Sequence, residues 1–143
     1  MTGASQQPTT ASRTLPPLDL RVAVAVFVGG ALGTLARAEL ATAWAHGPAQ
    51  WPWPTFLANL VGAALLGAIA VRTASAPHLH GLLGTGLCGG LTTFSTFQLE
   101  VVELVDAGAT GLAIAYLTMS IVLGVALATT TARLARPASR PAA

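Results

Sequence analysis

Four stretches of this chain are apolar, nearly free of charge and close to a bilayer's thickness in length. The first runs from about Val22 to Trp44, and Val22 to Ala36 carries no charge before Arg37 and Glu39 appear. The second starts near Pro54, a residue tolerated in a first helical turn, and ends by Arg72. The third spans about Leu79 to Val105, and the fourth, about Ala109 to Ala132, is free of charge. A crossing helix takes roughly 20 apolar residues. Four of them use most of a 143-residue chain and leave no room for a separate catalytic domain. A single span in lipid must satisfy its own backbone hydrogen bonds, so helices are expected, and the runs are too continuous for barrel strands. The expected fold is therefore an all-α integral membrane protein with four transmembrane helices over residues 18–132.

Charge supports the same class: 8% of residues are charged, against roughly a quarter in soluble domains. Seven arginines and no lysine are scattered rather than gathered into a stripe, which argues against nucleic acid as a partner. Residues 1–17, rich in Pro, Ser, Thr and Gln, lack the basic start and apolar run of a signal peptide and read as a disordered tail. Residues 133–143 read as a second, basic disordered tail. Cys88 has no partner for an intrachain disulfide. His78 and His80 lack a third ligand, and no nucleophile triad, phosphate loop or nucleotide fingerprint is present, so no enzyme is expected.

Small residues four apart, at Gly29 and Gly33, Ala58 and Gly62, and Ala63 and Gly67, allow close helix contacts, within one subunit or between two. The third stretch carries the chemistry. Residues 84–97 read GTGLCGGLTTFSTF. Glycine destabilises a helix interior by roughly 1 kcal/mol per residue, so a break is expected within the cluster Gly84, Gly86, Gly89 and Gly90. Carbonyls freed near mid-membrane must line a cavity, face protein or hold an ion, and a hard cation suits them. Glycines that serve close packing alone are the competing reading.

Directly afterwards, Thr92, Thr93, Ser95 and Thr96 alternate with Phe94 and Phe97. Hydroxyl protons and the electropositive edges of phenyl rings can meet a dehydrated anion without a full charge that would trap it. Two phenylalanines three apart in an ordinary span are core packing; hydroxyls on both sides of them favour an ion path.

The run GGLTTFSTF at residues 89–97 resembles the signature of the Fluc (CrcB) family of small fluoride-selective channels. Other segments are similar in order: Gly29-Gly30-Ala31-Leu32-Gly33-Thr34-Leu35-Ala36-Arg37 in the first span, then Thr55, Asn59, Gly62 and Gly67 in the second. The likeness covers about residues 22–130. It implies an antiparallel dimer in the cell membrane, broken third helices at its centre, and a sodium ion held by backbone oxygens of Gly89 and Thr92. Fluoride paths would be lined by Phe94 and Phe97 with Asn59, Thr93 and Ser95, beside a pore-side carboxylate at Glu100. Tyr116 and Ser120 would form a polar track on the fourth helix, and Arg37 would stand at a vestibule. The next step of that track falls on Gly124, which has no hydroxyl; Ala38, Ala63 and Ala64 are lesser departures. Plainer roles compete: Arg37 snorkelling to the interface, Asn59 bonding between helices, Glu100 and Glu103 emerging into water, Tyr116 packing.

The implied activity is passive fluoride export that relieves fluoride toxicity. A proton-coupled small multidrug exporter would want a carboxylate inside the first span, and Val22 to Ala36 holds none. A non-transporting scaffold would leave the break without a purpose. Arg13, Arg21, Arg72, Arg133, Arg136 and Arg140 flank one side and Arg37 alone the other, so both termini are expected in the cytoplasm. Such a bias suits a heterodimer with an oppositely oriented homologue; the homodimer inserted both ways is the alternative.

Overall fold

A computed structural model describes residues 19–137. Regular structure among them is helical throughout: α1 (Leu20–Ala43), α2 (Trp53–Arg72), α3 (Pro77–Leu79), a π-helix (His80–Cys88), α4 (Gly89–Leu91), α5 (Ser95–Asp106) and α6 (Thr110–Ala135). Three of these, α1, α2 and α6, are long and apolar enough to cross a membrane. The tail expected at 1–17 and residues 138–143 lie outside the described segment. Residues 133–135, expected in the second tail, instead complete the last turn of α6, where Arg133 complements the negative helix end.

Local chemistry sets the helix ends. Asp19 accepts the Arg21 amide proton at 2.9 Å and caps α1, while Pro54 occupies the first turn of α2. Gly108, with φ of 76°, closes α5: its amide reaches Val105 O at 2.9 Å and the Ala109 amide reaches Leu104 O at 2.8 Å. That reciprocal pair is a Schellman turn, and its left-handed position favours glycine.

The third expected span is in pieces. Gly81 sits by Val22 and Val26 near the start of α1, whereas Glu103 and Asp106 share a cleft with His46, Gly47 and Pro48 beyond the end of α1. Residues 77–106 thus run the length of α1 in segments. The break lies at residues 92–94, between α4 and α5. It does not fall within the glycine cluster, which is wound as a π-helix continuing into α4. The glycines serve contact. A Cβ on Gly86 would stand 2.7 Å from Val26 O, and one on Gly90 would overlap Gly30 O; Gly29 and Gly33 answer from α1, against Leu82 O and Leu87 O. Backbone lies directly on backbone along this seam. The small pairs on α2 act in the same intrachain way, Gly62 against Thr92 and Gly67 against Ala128 O.

Aromatic residues hold the other half. Phe56, Phe97, Leu104, Ala113 and Tyr116 form the buried core, and Trp51 joins it edge-on to Phe56 and Tyr116 at centroid distances of 5.1 and 5.5 Å. Large apolar side chains such as Phe27, Leu35, Ile121 and Val125 point outward, the inverse of a soluble globule and the surface lipid requires.

Candidate functional site

At the break, Thr92 turns extended (φ −80°, ψ 154°) and Phe94 is helical again (φ −91°, ψ −35°). No proline interrupts the segment, so hydrogen bonds must hold it open. Asn59 supplies two of them across from α2: its Nδ2 donates to Thr93 O at 3.0 Å, and its Oδ1 accepts the Thr93 amide at 2.8 Å. The Thr93 hydroxyl accepts the Thr96 amide at 3.3 Å and meets the Thr96 and Ser95 hydroxyls at 3.0 and 3.3 Å. The Thr92 hydroxyl donates back to Cys88 O at 2.9 Å. From α1, the half-buried Arg37 donates through Nε to Gly90 O at 3.2 Å. Arg37 therefore anchors the break from outside rather than standing alone at a surface.

These bonds determine which carbonyls stay open. In a continuous helix the Thr93 amide would serve Gly89 O and the Thr96 amide would serve Thr92 O. Both are diverted to side-chain oxygens, whereas Gly90 O is compensated by Arg37. Thr93 O is compensated by Asn59, so the carbonyl oxygens left without a donor are those of Gly89, Leu91 and Thr92, a donor chemistry that fits a hard cation.

An open cleft of about 290 Å³ lies beside the break, lined by Asn59, Thr92, Thr93, Phe94, Phe97, Ser120 and Ile121. Its two rings differ. Phe94 is 73% exposed at the open side, whereas Phe97 is 6% exposed and belongs to the core. Their centroids lie 6.3 Å apart, and Phe97 continues to Tyr116 at 5.0 Å. On the α6 wall the Ser120 hydroxyl is buried and has no hydrogen-bond partner. A serine hydroxyl in a helix ordinarily bonds back to a carbonyl of its own helix, so an unpartnered one at a cleft wall is a donor in reserve.

Beyond Phe97, Glu100 is buried. Its Oε1 accepts from Thr55 Oγ1 at 2.5 Å and its Oε2 from Tyr116 Oη at 2.6 Å. Those distances lie in the range of strong hydrogen bonds from hydroxyls to a carboxylate. On its far side Glu100 borders a narrow cleft of about 20 Å³ under the loop at residues 46–52. Phe97 and the Thr55–Glu100–Tyr116 group thus separate two openings.

The cleft brings together Asn59, Thr92, Thr93, Phe94, Phe97 and Ser120; Glu100 and Tyr116 stand one layer deeper. Ser95 is exposed and outside the lining, touching it only through Thr93, and Gly89 is exposed beside the break. Sequence reasoning passed over Thr55 as a partner of Glu100. Its signal was the spacing Thr55–Asn59, which places both on one face of α2, as Tyr116 and Ser120 share a face of α6.

A family model described as "CrcB-like protein, Camphor Resistance (CrcB)" matches residues 24–132. The chain belongs to the CrcB family. Among its relatives, "Fluoride-specific ion channel FluC 1" of Mycobacterium bovis is 50% identical over 115 residues, 78% of this chain and 87% of the relative. "Fluoride-specific ion channel FluC 2" of Nocardia farcinica is 40% identical over 133 residues, 88% of this chain and 95% of the relative. "Fluoride-specific ion channel FluC" of Novosphingobium aromaticivorans is 43% identical over 106 residues, covering 70% and 84%. The CrcB match takes in every residue of the break, of the cleft and of the Glu100 group.

Proposed function

We propose that this CrcB protein is a fluoride channel whose ion path runs through the cleft beside the break in its third helical stretch. The observation that carries the reading is the Ser120 hydroxyl, buried and unpartnered, on a wall facing Phe94 and Phe97. A dehydrated fluoride there meets hydroxyl and amide protons from Ser120, Thr93 and Asn59 and the positive edges of two rings. None of these is a full cation, so binding stays weak enough for release. Glu100, held by Thr55 and Tyr116, marks the inner end of the path toward the loop at residues 46–52.

The segmented stretch over residues 77–106 acts as a fourth span alongside α1, α2 and α6. A second protomer in antiparallel orientation, an oppositely oriented homologue, covers the open side of the cleft where Phe94 is exposed. At the dimer centre, Gly89 and Thr92 would hold a sodium ion through main-chain oxygens together with the matching backbone of the counterpart. The ion's contribution is to give those carbonyls a partner they otherwise lack. Arg37 fixes Gly90 between them, and Ser95 steadies Thr93.

Export needs no fuel. Hydrogen fluoride crosses lipid as the neutral acid and releases fluoride in a less acidic cytoplasm. A cell interior negative by 100 mV then expels the monovalent anion with about 2.3 kcal/mol. The protein reconstituted in liposomes together with an oppositely oriented homologue is expected to pass fluoride and to exclude chloride and quaternary ammonium. Coupled movement of a quaternary ammonium with protons would establish the exporter instead, and absence of all flux would leave a scaffold.

A further inference from the structure

Asn59 and Thr93 line the cleft, yet each directs its main polar atoms at the backbone of the break. Asn59 grips both amide and carbonyl of Thr93, and the Thr93 hydroxyl takes the Thr96 amide. The backbone itself gives no reason for opening here: Cys88 and Gly89 keep helical angles (φ −66° and −65°), and the glycines are occupied with α1. Gly89 itself has open space around it, so no steric block there forces the chain apart. What separates this segment from a continuous helix is the diversion of two amide protons to two side-chain oxygens.

We infer that Asn59 and the Thr93 hydroxyl are positioning residues for the sodium site, holding the Gly89 and Thr92 carbonyls free by capturing the amides that would otherwise close on them. The inference rests on the sodium reading given above and adds its cause. One feature makes it more than a packing statement. The captured amides are those of Thr93 and Thr96, each four residues after a proposed ligand, which is the spacing of the helical bond each would make. Of the two intervening carbonyls, Gly90 O receives a substitute donor in Arg37, whereas Leu91 O stays open beside those of Gly89 and Thr92.

The same geometry separates α2's part from α5's. Asn59 works from a neighbouring helix and ties the position of α2 to the opening at Gly89; Thr93 works locally and governs Thr92. Loss of either is expected to let one carbonyl return to a helical bond, and with it one ligand per protomer.

The test measures sodium binding directly. In detergent, the unfolding midpoint and a calorimetric titration are followed against sodium, with N-methylglucamine as the inert cation. Wild type and Thr93→Ser, which keeps the hydroxyl, are expected to bind sodium alike. Thr93→Val keeps the shape, removes the acceptor and is expected to weaken sodium at least tenfold, as is Asn59→Leu. Thr93→Ala carries the same expectation and serves if the valine variant does not fold. Wild-type sodium affinity in the folded valine or alanine variant and in Asn59→Leu would overturn this inference alone. A wild-type protein whose midpoint ignores sodium would overturn the sodium reading and this inference together.

Discussion

Replacing Phe94 and Phe97 by isoleucine, one at a time, separates the path from the core. Phe97 is 6% exposed and its ring lies 5.0 Å from Tyr116, within the cluster that includes Phe56 and Leu104. Its replacement forfeits an aromatic pair worth about 0.5–1.5 kcal/mol and introduces a shape mismatch of about 1 kcal/mol in a packed site. The protomer should lose about 1.5–2.5 kcal/mol. Phe94, 73% exposed, has little to lose within the protomer, and its variant should stay within about 0.5 kcal/mol of wild type. Both variants should nonetheless reduce fluoride efflux from liposomes by an order of magnitude or more, because both rings border the cleft. Stability is read by denaturant unfolding in detergent, diluted until the protomer is monomeric. Equal stability losses would refute the burial argument; undiminished efflux from both variants would refute the path.

Three further outcomes follow from particular contacts. Tyr116→Phe and Thr55→Val each strip one hydroxyl from the buried Glu100 carboxylate and should each lower stability by about 1.5–3 kcal/mol, less than additively when combined, as measured by a double-mutant cycle. Gly29→Ala places a methyl against Leu82 O and 2.8 Å from Leu87 N, so about 1–3 kcal/mol should be lost in unfolding experiments, whereas Gly124→Ser, with nothing within 4 Å of its Cβ, should fold normally and preserve or raise efflux. Reporter fusions at the C-terminus should report a cytoplasmic location, with full efflux only when an oppositely oriented homologue is supplied; equal signal from both sides with robust efflux from the chain alone would refute the heterodimer.

Three of the helices could be read from the amino acids to within a few residues, because unbroken apolar runs and their flanking charges answer to the bilayer alone. The break was misplaced for a physical reason. Propensity marks Gly84 to Gly90 as weak helix, but α1 lies against that surface and only glycine admits its backbone, so tertiary contact outweighs propensity there. At the observed break the Thr93 amide donates to Asn59 and the Thr96 amide to the Thr93 hydroxyl, and the first of these is a partnership across 34 residues that no local pattern encodes. Glu100 shows the same limit. Its partners come from α2 and α6, 45 and 16 residues away in the chain. Trp51 closes the aromatic core from the loop after α1, and its contact with Tyr116 again joins residues distant in the chain.

The cleft's missing side has a consequence for the cell. On the pairing proposed above, a protomer contributes nothing until it meets its counterpart, so at low surface density activity should grow with the square of copy number. Where two different chains must pair, output follows the scarcer of them. Overproducing one alone would fill the membrane with silent halves and leave the cell as sensitive to fluoride as before.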